Sequence, residues 1–221
     1  AAKEMLARIS AMLPINPRGM WIGTFHGLCH RMLRTHFQDA GLPQTFQILD
    51  SADQLALIKR ILKDLQADDK KFPPRQVQWF INNAKEAGLR AAYVTVEDAF
   101  SRRMLEFYQA YELQCQREGA VDFAELLLRN YELLTRNEPL CQHYRARFRH
   151  ILIDEFQDTN QLQYKWLKLL AGTETGHAAA VFAVGDDDQS IYAFRGAYSG
   201  NMKDFERDFG ISTVIKLEQN Y

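Results

Sequence analysis

Three apolar residues, Ile151-Leu152-Ile153, run straight into two adjacent acids, Asp154 and Glu155, before the stretch "ILIDEFQDTN" turns polar. β-Branched at two of three positions and bounded by polar residues, the run reads as a short strand covered on both faces, as in parallel sheets. The carboxyl end of such a strand is where open α/β folds bind ligands. Successive strand side chains point to opposite faces, so Asp154 and Glu155 share one role only where the strand has begun to curl. One carboxylate holding a hydrated Mg²⁺ and the next orienting a water suits phosphoryl transfer, where positioning and charge supply nearly all the catalysis. The plainer reading is an acidic loop after a core strand.

The hydrophobic pattern changes character twice along the chain. Residues 1 to 13 read as helix and "GMWIGT" (19 to 24) as a strand. From His26 to about Phe148 nearly everything has helical periodicity, from "HGLCHRMLRTHF" through "SADQLALIKRILKDL" and "PPRQVQWFINNAKEAG" to "PLCQHYRARF". Start and stop signals agree: Asp50 or Ser51 as a cap, Pro73 and Pro74 in a first turn, Gly88 or Gly119 after a last one. Strands return at "ILIDE", "AVFAVGD" and "TVIKL", with helices near 160 to 171 and 199 to 209 between them. The stripe Leu55, Ile58, Ile61, Leu62, Leu65 reads as helical core, Trp79 as buried, and "DDKK" (68 to 71) as a solvated turn. The expected fold class is α/β, with a parallel sheet interrupted by a mostly helical insertion of domain size.

With 221 residues the chain can build one or two cored domains, and 47% hydrophobic with 25% charged residues is ordinary for a globular protein. No apolar run reaches eighteen residues, and "AAKEMLARIS" has neither the core nor the cleavage site of a signal peptide, so no membrane partner is expected. Cys29, Cys115 and Cys141 are odd in number and widely spaced, which argues against a disulfide framework or a metal cage and suits a reducing cytoplasm. A net charge of −1 makes any DNA-binding surface a local patch. The visible basic clusters are "YRARFRH" (144 to 150) and Arg31 with Arg34.

A second informative site, "VGDDDQSIYAFRGA" (184 to 197), follows the strand "AVFAV" and so falls at the same ligand-binding edge as Asp154. Three acids and Gln189 bring polar groups to where a metal-bound phosphate could lie. Tyr192 and Phe194 then alternate with Ile191 and Ala193, which in an extended segment puts both rings on one face beside Arg195. Spaced aromatics next to a cation form a stacking platform for unpaired bases, although two buried core rings would give the same pattern.

These segments, together with "WIGTFHGLCHRML", "GAVDFAELL", the opening "AAKEM" and the closing "LEQNY", resemble successive motifs of the UvrD/PcrA/Rep helicases of superfamily one, over the whole chain and in order. The UvrD type is the expected one within that family. The resemblance implies a partial RecA-like ATPase domain, residues 1–25 and 148–221, with a helical insertion at 26–147. It also implies a motor driven by ATP and Mg²⁺ that moves 3′ to 5′ on single-stranded DNA and opens junctions with duplex, alongside DNA-repair proteins at the nucleoid.

Position by position, Asp154 resembles the Mg²⁺-coordinating acid and Glu155 the base that activates the attacking water. Gln189 resembles the glutamine that senses the γ-phosphate. Tyr192 and Phe194 match the aromatics that stack on single-stranded bases, and Arg195 ties that segment to the nucleotide or the DNA. Thr24, Phe25 and His26 match a motif near the single-strand path, and Tyr221 a tyrosine that stacks on adenine. One departure weighs against activity: no G-x-x-x-x-G-K-[ST] phosphate loop occurs in the 221 residues. The chain is therefore expected to be an internal piece of a larger helicase, without the second motor domain and inactive alone.

Two other classes compete. A passive module would hold DNA or a repair partner without catalysis and with a steep salt dependence. A metal-dependent nuclease would use Asp154, Glu155 and Asp186 to Asp188 directly. His26 and His30 are four apart, but without a zincin glutamate they read as structural or DNA-proximal and not as zinc ligands.

Overall fold

The computed structural model describes residues 2–13, 19–173, 179–186, 201–211 and 213–215. The fold is mixed α/β, with two small parallel sheets among many helices, and the chain divides into two compact units, Ala1–Leu133 and Leu134–Tyr221.

The first unit contains α1 (Ala2–Met12), α2 (Phe25–Thr35), β1 (Gln47–Leu49), α3 (Ser51–Asp64), α4 (Pro74–Glu86), α5 (Ala99–Glu118), β2 (Ala120–Asp122) and most of α6 (Phe123–Arg136). Its helices begin where side chains can satisfy the free backbone N–H groups of a first turn. Asp50, and not Ser51, caps α3 by accepting from the N–H groups of Ala52 and Asp53, both at 2.8 Å. Asp98 and Ser101 form a reciprocal capping box on α5, and Pro74 sits in the first turn of α4. At its far end α5 stops at Gly119, whose φ of +61° is the left-handed conformation of a helix terminator.

Helices α3, α4 and α5 bury Ile58, Leu62, Ile81, Phe107, Tyr108 and Tyr111 in one cluster. Each such side chain contributes about 1.5–3 kcal/mol by leaving water. Of the expected stripe on α3, Ile58, Ile61 and Leu62 are buried and Leu55 is half-buried, with Leu57 joining them; Leu65 is exposed, because the helix ends at Asp64 and Leu65 already belongs to the turn. Trp79 is also a correction, since it stands 62% exposed on the outer face of α4. The face that packs inward is marked by Val77, Ile81 and Lys85, four residues apart, and Trp79 falls between those rows.

Two further readings of this region are corrected. The nearly all-helical stretch contains β1 and β2, which pair in parallel with Gln47 opposite Ala120 and Leu49 opposite Asp122. Three residues each are too few to display a period of two. Residues 19–24 form no strand. They run irregularly into the Thr24 cap of α2, with the Arg31 guanidinium stacked 4.3 Å over the Trp21 ring.

The second unit contains α7 (Glu138–Arg147), β3 (His150–Ile153), α8 (Gln161–Ala171), β4 (Ala180–Ala183) and α9 (Asn201–Asp208). β3 and β4 are parallel, with His150 opposite Ala180 and Ile153 opposite Ala183. Ile153 is buried, whereas Leu152 is 75% and Phe182 57% exposed. β3 is thus covered on one face and not on both: alternate side chains leave on opposite sides, and the described residues cover only one. Val214 and Ile215, expected in a strand, lie exposed and outside regular structure.

Candidate functional site

In the second unit the chemistry gathers at the carboxyl end of β3. The strand ends at Ile153, and Asp154 and Glu155, both exposed, follow in a turn. Glu155 has φ +51° and ψ +46°, a left-handed conformation uncommon for a residue with a Cβ. The backbone therefore curls at Glu155, directly after Asp154. The Glu155 N–H donates to Asp154 Oδ1 at 3.1 Å, inside the turn.

Backbone bonds stitch this turn to the segment after β4. Val184 N–H donates to the Ile153 carbonyl and Phe156 N–H to the Val184 carbonyl, each at 2.9 Å. Between them lies Gln157, only 6% exposed. Its Nε2 donates to Glu155 Oε2 at 2.6 Å, and its Oε1 accepts from the Asp186 N–H at 3.1 Å. A Cβ on Gly185 would lie 2.7 Å from Gln157 Oε1, so the segment approaches to a distance that suits glycine. Sequence reasoning missed Gln157 and Gly185, although both lie inside the quoted motifs; a polar residue two positions after a paired acid gives no sign of being buried.

Of the remaining expected site residues, Asp187, Asp188, Gln189, Tyr192, Phe194, Arg195 and Tyr221 lie outside the described residues. No cluster of three or more His, Cys, Asp or Glu side chains suited to a metal occurs among the described residues. Asp154 and Glu155 offer hard oxygen donors without a full cage. That donor set fits Mg²⁺, which keeps most of its waters and takes its other ligands from phosphate.

The first unit presents a separate surface. Thr24 Oγ1 accepts from the Gly27 N–H at 3.2 Å, capping α2 and leaving Phe25 and His26 in its first turn. The His26 ring meets Phe123 edge to face, centroids 6.0 Å apart, and burial pulls its pKa below the ordinary histidine value. Near neutral pH it is therefore an uncharged imidazole. Beside them is a cleft of about 190 Å³ whose walls include Asp50, Ser51, Asn82 and Glu86. Phe123, half exposed at the start of α6, was not singled out from the sequence as a site residue.

Nearby cations are already engaged. Arg34 donates to His30 Nε2 at 2.9 Å and to the carbonyls of Gln44 and Phe46, with its guanidinium 3.7 Å over the Phe46 ring. In the second unit Arg145 donates to the Leu169 carbonyl at 2.8 Å. Both hold structure, which leaves less of the visible basic clusters for a polyanion.

Fold and site together define an α/β protein whose acids sit at the carboxyl end of a parallel strand. The sequence matches the UvrD/REP helicase N-terminal domain over residues 1–210, and the chain belongs to that family. It is 52% identical over 222 residues to DNA helicase II of Escherichia coli K12 and 54% over 226 to that of Haemophilus influenzae. To the ATP-dependent DNA helicase PcrA of Bacillus subtilis 168 it is 37% identical over 223 residues. Each comparison covers the whole chain and 30% of the relative, so the chain spans about a third of their length.

Proposed function

We propose that the protein carrying this chain is an ATP-dependent helicase that moves 3′ to 5′ on single-stranded DNA and opens duplex junctions in DNA repair or replication, in a reducing cytoplasm at the nucleoid. The observation that supports the reading is the left-handed turn at Glu155, directly after Asp154, at a parallel strand's carboxyl end. Residues 1–25 and 148–221 belong to a RecA-like ATPase domain in this reading, and 26–147 to its helical insertion. Asp154 holds Mg²⁺, and Glu155 orients the attacking water and takes its proton. The cofactors supply phosphoryl transfer: Mg²⁺ neutralises phosphate charge while ATP provides the leaving group. Gln189 and Tyr221 act on the nucleotide in this reading. Thr24, Phe25, His26, Tyr192, Phe194 and Arg195 serve single-stranded DNA in this reading, where an uncharged His26 and aromatic rings suit stacking better than phosphate pairing.

ATP turnover with and without single-stranded DNA tests this, comparing wild type with Glu155→Gln and with Tyr192→Ala/Phe194→Ala. The first change abolishes turnover and the second abolishes DNA stimulation. Turnover surviving both would overturn the assignments. The 221 residues alone hydrolyse no ATP at a useful rate, because they contain no G-x-x-x-x-G-K-[ST]. That same observation favours a second reading for the isolated chain, a non-catalytic DNA- or partner-binding module, marked by salt-sensitive DNA binding without cleavage.

A further inference from the structure

Gln157 stands out as a buried side chain with both ends of its carboxamide in use. A backbone N–H can only donate and an ionised carboxylate can only accept, so the amide has one workable orientation, Oε1 toward Asp186 and Nε2 toward Glu155. Glu155 itself is exposed, on a backbone held in the left-handed region. A free glutamate side chain there would sample several rotamers, and the water it orients would lose its place.

We propose that Gln157 is a positioning residue, a strut that holds the Glu155 carboxylate and fixes it to the backbone at Gly185–Asp186, where the chain enters residues 187–200. The proposal rests on the reading of Glu155 as the water-orienting acid. Movement of the Gly185–Asp186 backbone is carried through one carboxamide to the Glu155 carboxylate. Gly185 belongs to the device: with a Cβ 2.7 Å from Oε1, any larger residue pushes the strut aside.

The alternative is that Gln157 only satisfies a buried backbone N–H. The two roles separate in the ATP-hydrolysing protein that carries this chain, through Gln157→Glu, Gln157→Leu and Gly185→Ala beside Glu155→Gln. Gln157→Glu keeps the acceptor for Asp186 at almost unchanged volume and sets a second carboxyl against Glu155 in place of the neutral N–H donor. For all three strut variants kcat falls about 10- to 100-fold, as when a supporting hydrogen bond to a reacting group is lost. KM for ATP stays within about twofold, since uniform binding is untouched. A second readout needs no turnover: in the 221-residue chain the Gln157 side-chain amide protons are protected from exchange, and Glu155→Ala or Gly185→Ala abolishes the protection.

A kcat within twofold of wild type in Gln157→Glu and Gly185→Ala, while Glu155→Gln is dead, overturns the strut and leaves Glu155 in place. Full activity in Glu155→Gln removes Glu155 from catalysis and the strut with it. If Gln157→Leu does not fold, Gly185→Ala and the amide exchange decide.

Discussion

Lys85 Nζ lies 2.6 Å from Asp122 Oδ2, with both side chains at most 3% exposed. The same Oδ2 accepts from the Tyr111 hydroxyl at 2.8 Å, while Oδ1 accepts from the Glu125 N–H at 2.7 Å in the first turn of α6. Glu125 Oε2 is 3.0 Å from Lys85 Nζ and 2.7 Å from Arg90. One ionic network therefore ties α4, α5, β2 and α6 together, and it sets the end of α6 that carries Phe123.

Removing one partner from such a network strands the opposite charge in the interior. Lys85→Met is expected to cost about 3–5 kcal/mol, because Asp122 and Glu125 keep their burial and lose their shared cation. Urea unfolding of the 221-residue chain measures it. Adding Asp122→Asn should recover part of the loss, and a Lys85→Met cost below about 1 kcal/mol would mean that the ions are not coupled.

The network also fixes how stability responds to acid. Burial pushes the Glu125 carboxyl up, but Lys85, Arg90 and Arg129 outweigh it and hold the pKa well below the usual carboxylate range. A folded pKa below the unfolded value of about 4.3 gives stability that is fully present above that value and is lost as pH falls below it. In the second unit Asp208, brought to about 2 by hydrogen bonds from Lys168, Arg207 and Tyr164, behaves in the same sense. Stability should fall steeply between pH 5 and 2, with a shallower limb in Glu125→Gln, as read from unfolding midpoints across pH.

Helices were legible from the sequence because their signals are local. The Asp50 cap, the Pro74 first turn and the Gly119 stop can each be read within five residues, and the structure puts helix ends there. The strand "ILI" and the acids after it were equally plain. β1 and β2 were not, since three-residue strands depend on a partner more than seventy residues away. The same holds for Gln157: its role depends on Asp186, 29 residues on, and on the closeness that Gly185 permits. Trp79 misled for a related reason: composition favours burial of tryptophan, but the helix phase set by Val77 and Ile81 decides.

Gly119 combines two constraints that a side chain violates. Its φ is +61°, and a Cβ there would stand 2.7 Å from Pro43 Cγ, part of a rigid ring and not the tip of a flexible chain. Gly119→Ala should destabilise by about 1–3 kcal/mol, the cost of a non-glycine residue in strained backbone. Gly41, also at positive φ but with nothing within 4 Å of its Cβ position, separates the terms: Gly41→Ala carries the backbone cost alone and should be the milder change in the same denaturation assay.

Trp79 offers a test of the outer face of α4. Trp166 is 3% exposed, Trp21 is half-buried under Arg31, and Trp79 is 62% exposed. Acrylamide quenching of the tryptophan fluorescence should therefore report mostly on Trp79 and drop sharply in Trp79→Ala. Because the ring contributes little to the core, the same substitution should change stability by no more than about 0.5 kcal/mol. A loss of several kcal/mol would instead place the ring in the interior and shift the phase of α4 by about half a turn. Val77, Ile81 and Lys85 would then leave the core, and the Lys85–Asp122 pair could not form. The fluorescence of one residue thus checks the helix phase on which the buried network depends.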